Sequence, residues 1–132
     1  MAKNNTIIKL VVIIFLLICS IIGFLIKIPR PLQGHDKFLH FTFFIGACLF
    51  LNLLIKNRLI IITILLFIFG YAMEYGQQLT NKYFHVKWHG RFDMEDVKMN
   101  GYGVLAGFVI VLLVRGISLL FKFSDQQVER ND

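Results

Sequence analysis

Residues 90–114 read GRFDMEDVKMNGYGVLAGFVIVLLV. The stretch opens with an Arg, three acids and an Asn, then runs from Met99 to Val114 without a charged residue. An apolar run continuing through Gly116 to Phe121 approaches the ~20 residues that a helix needs to cross ~30 Å of hydrocarbon. Gly103 and Gly107 stand four apart in GVLAG, the small-xxx-small spacing that lets a second helix approach closely in lipid. Read as a membrane-crossing helix, this stretch puts its polar mouth in one leaflet and its packing face below it.

Composition extends that reading to the whole chain. Of 132 residues, 57% are hydrophobic and 17% charged, against about 25% charged in ordinary soluble domains. Mean hydropathy is +0.69. The apolar residues fall into four spans, 6–26, 38–55, 59–79 and 97–121, with an interfacial loop over 80–92. In lipid, helices satisfy their own backbone groups, so spans of this length are helical. The expectation is one domain over 1–132: an all-α membrane protein, a compact antiparallel bundle of four transmembrane helices. The first span begins with Lys3 and Lys9 but lacks a small-residue cleavage site, and Ile18 is too bulky before Cys19 for a lipoprotein site. It is expected to be retained. Cys19 and Cys48 lie within apolar runs and read as small hydrophobes.

Ionisable side chains within a bilayer are costly and mark functional positions. Three groups stand out: Asp36, Lys37 and His40 at the start of the second span, Glu74, Gln77 and Gln78 near the end of the third, and Arg91, Asp93, Glu95, Asp96 and Asn100 at the start of the fourth. In a bundle that alternates direction, all three lie in the same leaflet. Asp36 and His40 share a helical face, which the spacing continues to Phe43 and Ala47. Thr63, Phe67, Gly70, Glu74 and Gln77 form a second seam. Asp93, Asp96, Asn100, Gly103 and Gly107 form a third.

Blander readings apply to several of these residues. Gly103 and Gly107 are packing positions. Lys56, Arg58, Lys82, Lys87, Lys98, Arg115 and Lys122 are interfacial anchors. Asp93 suits a helix N-cap. His85 and His89 are four apart on a polar, aromatic loop and read as surface residues. Glu74 resists such an explanation, since a carboxylate inside an apolar helix needs a partner.

D-K-x-x-H over Asp36 to His40, E-x-x-Q over Glu74 to Gln77, and G-R-x-D-x-x-D-V-x-x-N-x-x-G over Gly90 to Gly103, followed by Gly107, resemble the VanZ-like family. The resemblance covers residues 36 to 107. It implies a small multi-span protein of the bacterial cytoplasmic membrane, connected with the cell envelope and with teicoplanin-type glycopeptide resistance. It implies no particular reaction.

Four chemistries fit the residues. Asp36, His40, Glu74 and Asp96 could work as an acid/base set. No cofactor is expected, although the same oxygens could hold a hard divalent cation. Lys37, Gln77, Arg91, Asp93 and Asn100 could bind a lipid-linked or glycopeptide ligand, or the headgroups of membrane lipids. A satisfied polar network could simply pin three helices together. The formal charge of +6 is spread along span ends and forms no nucleic-acid patch; it suits anionic headgroups. Basic residues are balanced between the two sides, so orientation rests on the first span, whose signal-anchor character favours an N-terminus inside.

Overall fold

The computed structural model describes the backbone of residues 2–25, 35–84 and 92–131, and side chains for 5–25, 35–83 and 92–123. The described residues form four helices and no strand: α1 (Ala2–Leu25), α2 (Asp36–Leu54), α3 (Leu59–Phe84) and α4 (Met94–Asn131). All four are long and apolar enough to cross a membrane, with candidate spans of 21, 19, 25 and 30 residues. They pack against one another as an alternating bundle. The four-helix architecture is therefore as the apolar spans predict.

The helices overrun the apolar spans at several ends. Polar residues at helix termini sit in headgroups or water, where helical hydrogen bonding continues at no cost, so hydropathy does not mark the true ends. Of the interfacial loop expected over 80–92, Thr80 to Phe84 are helical as the end of α3, and 85–91 lie outside the described residues. The bend between α2 and α3 is tight, and Asn57 takes φ 65° there. Asn is among the few side-chain-bearing residues that adopt this left-handed conformation readily.

Contact between α2 and α4 dominates the packing, and the two run parallel. His40 meets Asn100 near one end, and Arg115 Nη2 donates to Asn52 Oδ1 at 3.3 Å near the other. Between them the α2 backbone slides across the two glycines. A Cβ on Gly103 would strike the carbonyl oxygen of Phe41 and stand 2.9 Å from Phe44 Cβ; one on Gly107 would stand 2.7 Å from Cys48 Cβ. Neither position has room for a methyl group.

The buried stripe on α2 runs His40, Phe44, Cys48, Asn52, stepping strictly by four. Phe43 and Ala47, which the 3.5-residue spacing favours, lie at its half-buried flank. On α3 the buried line is Ile62, Leu66, Gly70, Glu74 and Gln77, with Phe67 39% exposed rather than Thr63 and Phe67 leading inward. A straight helix repeats every 3.6 residues, and the drift displaces a 3.5-residue seam over four turns. Phe44, Cys48, Ile62, Leu66 and Val104 form the apolar core below the polar groups. Helix α1 is peripheral. Its exposed Ile, Leu and Phe side chains face where lipid would be, and its last turn brings Phe24 against the core.

Gly103→Ala and Gly107→Ala should each destabilise the bundle by about 1–3 kcal/mol through overpacking. Gly46→Ala, where nothing lies within 4 Å of the added carbon, should be neutral or better. Thermal unfolding of the three variants in detergent micelles checks this, and equal melting temperatures would remove the close α2–α4 contact.

Candidate functional site

Asp93 opens α4 as its N-cap. Its Oδ1 accepts the backbone N–H of Glu95 at 2.8 Å, satisfying one of the amides that a helix start leaves unpaired. Phe92, just before it, sets its ring 5.9 Å from that of Tyr71 and so docks the start of α4 onto α3. The first turn then points Asp96 inward, 9% exposed, and the next turn places Asn100 inward at 2%. At about 1.5 Å per residue, Asn100 lies about 9 Å along the helix from Met94.

Asn100 is the centre of the hydrogen bonding. Its Nδ2 donates to the Gly70 carbonyl at 3.3 Å, and its Oδ1 stands 2.8 Å from His40 Nδ1. The Gly70 carbonyl fixes which way the amide faces, since only the NH2 can donate to it. Oδ1 therefore faces the histidine, and His40 must carry its proton on Nδ1. Asn100 also touches the position where a Cβ on Gly70 would stand, at 3.0 Å, so a larger residue there would push the amide away.

In the neutral ring this tautomer leaves His40 Nε2 with a lone pair; in the imidazolium Nε2–H would point at Asp36 instead. Opposite Nε2, at 3.4 Å, is Asp36 Oδ1 from the preceding turn of α2. On the other side of the ring, Glu74 Oε1 stands 3.6 Å from Nδ1. Glu74 is 1% exposed, and the Asp93 backbone N–H reaches its carboxylate. Asp96 completes the group: ligand atoms of Asp36, His40 and Asp96 all lie within 4.8 Å of one another. Two carboxylates about 5 Å apart repel by about 3 kcal/mol at an effective dielectric of about 20. No described residue gives a hydrogen bond to Asp36 Oδ1, Glu74 Oε1 or Asp96 Oδ1, and all three atoms are buried.

Asp36, His40, Glu74, Asp96 and Asn100 thus come together from three helices. Lys37 does not join them: it is half-exposed and paired with the exposed Glu95 at the rim. Gln77 is buried but faces elsewhere, donating through Nε2 to the Phe24 carbonyl of α1 at 2.9 Å. That contact turns Gln77, a binding candidate from the sequence, toward α1, and Gln78 is exposed. Asp93 serves the helix end, and Arg91, His85 and His89 lie outside the described residues. The contacts at Gly103 and Gly107 are those of packing.

Two contacts were not anticipated from the sequence, although Arg115 was singled out as an interfacial anchor. Phe24 lays its ring edge-on to His40 with centroids 5.0 Å apart, walling the site with the last turn of α1. An apolar residue in an apolar run carries no signal of such a role. Asn52 and Arg115 form a second polar contact at the opposite end of α2 and α4. Asn52 was readable, as it stands three four-residue steps from His40 on one face.

No family model, curated protein or solved structure matches this chain.

Asn100→Ala should leave His40 Nδ1–H without its acceptor, at about 1–3 kcal/mol, while the Gly70 carbonyl keeps its bond within α3. Asp93→Ala should cost about 1 kcal/mol as a lost cap. Denaturant unfolding in micelles measures both. A loss at Asp93 equal to or greater than that at Asn100 would displace Asn100 from the centre of the network.

Proposed function

We propose that the chain is a VanZ-like multi-span protein of the bacterial cytoplasmic membrane whose polar centre, set in one leaflet, recognises an envelope-related lipid headgroup or glycopeptide. The observation that carries this reading is the set of three buried carboxylate oxygens without a donor among the described residues. A network kept only for architecture satisfies its members, because an unpaired buried polar group costs more than an apolar replacement. Here three carboxylate oxygens gather around one imidazole, two of them 3.4 and 3.6 Å from its nitrogens, with no hydrogen bond from a described residue. A ligand rich in hydroxyl or ammonium donors, such as a sugar or an aminoacyl group, would complete them. The motif residues that resemble the VanZ-like pattern on three separate helices are largely those that meet: Asp36, His40, Glu74, Asp96 and Asn100.

The site's surroundings support a ligand arriving from the headgroup region. Asp36 and the Lys37–Glu95 pair lie at the rim, with side chains 42%, 50% and 62% exposed. Glu74 and Asn100 lie deeper, above the ring of Phe44. With the N-terminus inside, this opening faces the envelope. Teicoplanin-type resistance is the phenotype this placement suits, since glycopeptides and their lipid-linked targets act on that face.

Two measurements test the reading. The full chain in nanodiscs is titrated with teicoplanin and, separately, with a lipid-linked disaccharide-peptide precursor. Saturable binding of at least one is expected, weakened tenfold or more by His40→Ala or Asp96→Asn; wild-type protein that binds neither overturns it. In the ligand-free protein, Glu74→Gln should preserve or raise thermal stability, because it removes a repelling charge, whereas a purely architectural network would lose stability.

Orientation has its own check. In a Cys19→Ala, Cys48→Ala background, an impermeant thiol reagent should label Trp88→Cys in intact cells and spare Asn57→Cys. The opposite pattern would turn the site toward the cytoplasm.

A further inference from the structure

The geometry points to a divalent metal ion bound by Asp36, His40 Nε2 and Asp96, with Asn100 and Glu74 orienting the histidine from its other side. The inference rests on the reading above that this centre is a binding site, and it adds an ion through which a hydroxyl or headgroup oxygen of the ligand would be held there.

The argument starts from the histidine. Asn100, held by the Gly70 carbonyl, assigns the proton to Nδ1. With the ring neutral, the lone pair on Nε2 then confronts a carboxylate oxygen at 3.4 Å. Two electron-rich atoms face each other only when something positive lies between them. A single proton can bridge one such pair. It cannot also serve Asp96 Oδ1, which is buried and takes no hydrogen bond from the described residues. One divalent ion serves all of them.

The donor set fits. Ligand atoms of Asp36, His40 and Asp96 lie within 4.8 Å of one another. Ligands about 2.0–2.2 Å from an ion stand about 3–3.5 Å apart, and the broad terminal torsion of Asp lets each carboxylate close the remaining distance. The His40 Nδ1–H bond to the Asn100 amide oxygen has the form that orients metal-binding histidines elsewhere, in which the second ring nitrogen donates to an oxygen. Charge fits as well. Asp36, Glu74 and Asp96 gather three acids, while the nearby Lys37 is paired with Glu95. One imidazole with two carboxylates suits a first-row ion such as Mn2+. Three protein ligands leave coordination positions for water or for a headgroup oxygen, so phosphate could bind where direct contact with the acids would repel it.

The test uses Mn2+ alone. The full chain in nanodiscs is stripped with a chelator and titrated with Mn2+, followed by electron paramagnetic resonance. One saturable site per chain is expected, with nitrogen coupling from the directly bound imidazole. Asp36→Asn and Asp96→Asn should each weaken binding tenfold or more, and Asn100→Ala about 10–100-fold, with helical circular dichroism unchanged. Wild-type protein without a saturable site, or with one lacking nitrogen coupling, overturns the inference whatever the variants do. Teicoplanin or precursor binding at full strength in chelator, without Mn2+ uptake, removes the metal and keeps the proposed function. Mn2+ binding without uptake of either ligand removes the proposed function and keeps the metal.

Discussion

Everything polar in this bundle depends on how closely α2 and α4 can lie. With Gly103 against the Phe41 carbonyl and Gly107 against Cys48, the two backbones are brought together along parallel paths. That approach puts Asn100 within 2.8 Å of His40, one turn above Gly103. In lipid there is no hydrophobic drive to hold two apolar helices together, so close packing and interhelical hydrogen bonds must do it. Here the glycines supply the first and Asn100 the second. Helix α3 then joins through Gly70, whose missing side chain admits the Asn100 amide. Glycine thus brings the asparagine to both of its neighbours.

The division of labour along the bundle follows. Below the site, Phe44, Cys48, Ile62, Leu66 and Val104 interlock without polar atoms from their side chains other than the thiol. Phe44 and Val104 are wholly buried, and Phe44 touches the positions of both Gly70 and Gly103. This layer holds the helices in register. It can therefore sustain an upper layer in which carboxylates crowd one another and three oxygens lack donors among the described residues. Unfavourable local arrangements persist where the surrounding structure over-determines them, and they cluster at functional sites.

Much of this was legible in the residues themselves. Four apolar spans with short polar breaks predict the bundle, because length and hydropathy are what a bilayer selects. The common level of His40, Glu74 and Asn100 follows from alternating direction, which places the start of α2, the end of α3 and the start of α4 together, and helical spacing turns the three inward. Finer placement was less legible, for identifiable reasons. Glu74 and Gln77 are three apart and share a face, yet that face spans two neighbours: Glu74 meets α2, while Gln77 meets the end of α1. Spacing reports the face of a helix, not which partner covers each part of it. Lys37 follows Asp36 directly, and adjacent helical residues diverge by about 100°, so its turn outward to Glu95 was available from geometry.

Phe24 shows why the remaining wall was hidden. Nothing distinguishes it from the apolar residues around it in α1, most of which face outward. Its role comes from the Gln77 side chain, which donates to its carbonyl and so ties the last turn of α1 to α3. Once tied there, the ring meets His40 edge-on and stands within 5.0 Å, centroid to centroid, of Phe43 as well. A polar residue placed for one helix thereby sets the apolar wall of a site built from three others. The same contact, with the packing of Phe24 against Phe43, Phe44 and Phe69, gives the otherwise peripheral α1 a defined position, so the site's shape and the seating of the first helix are coupled.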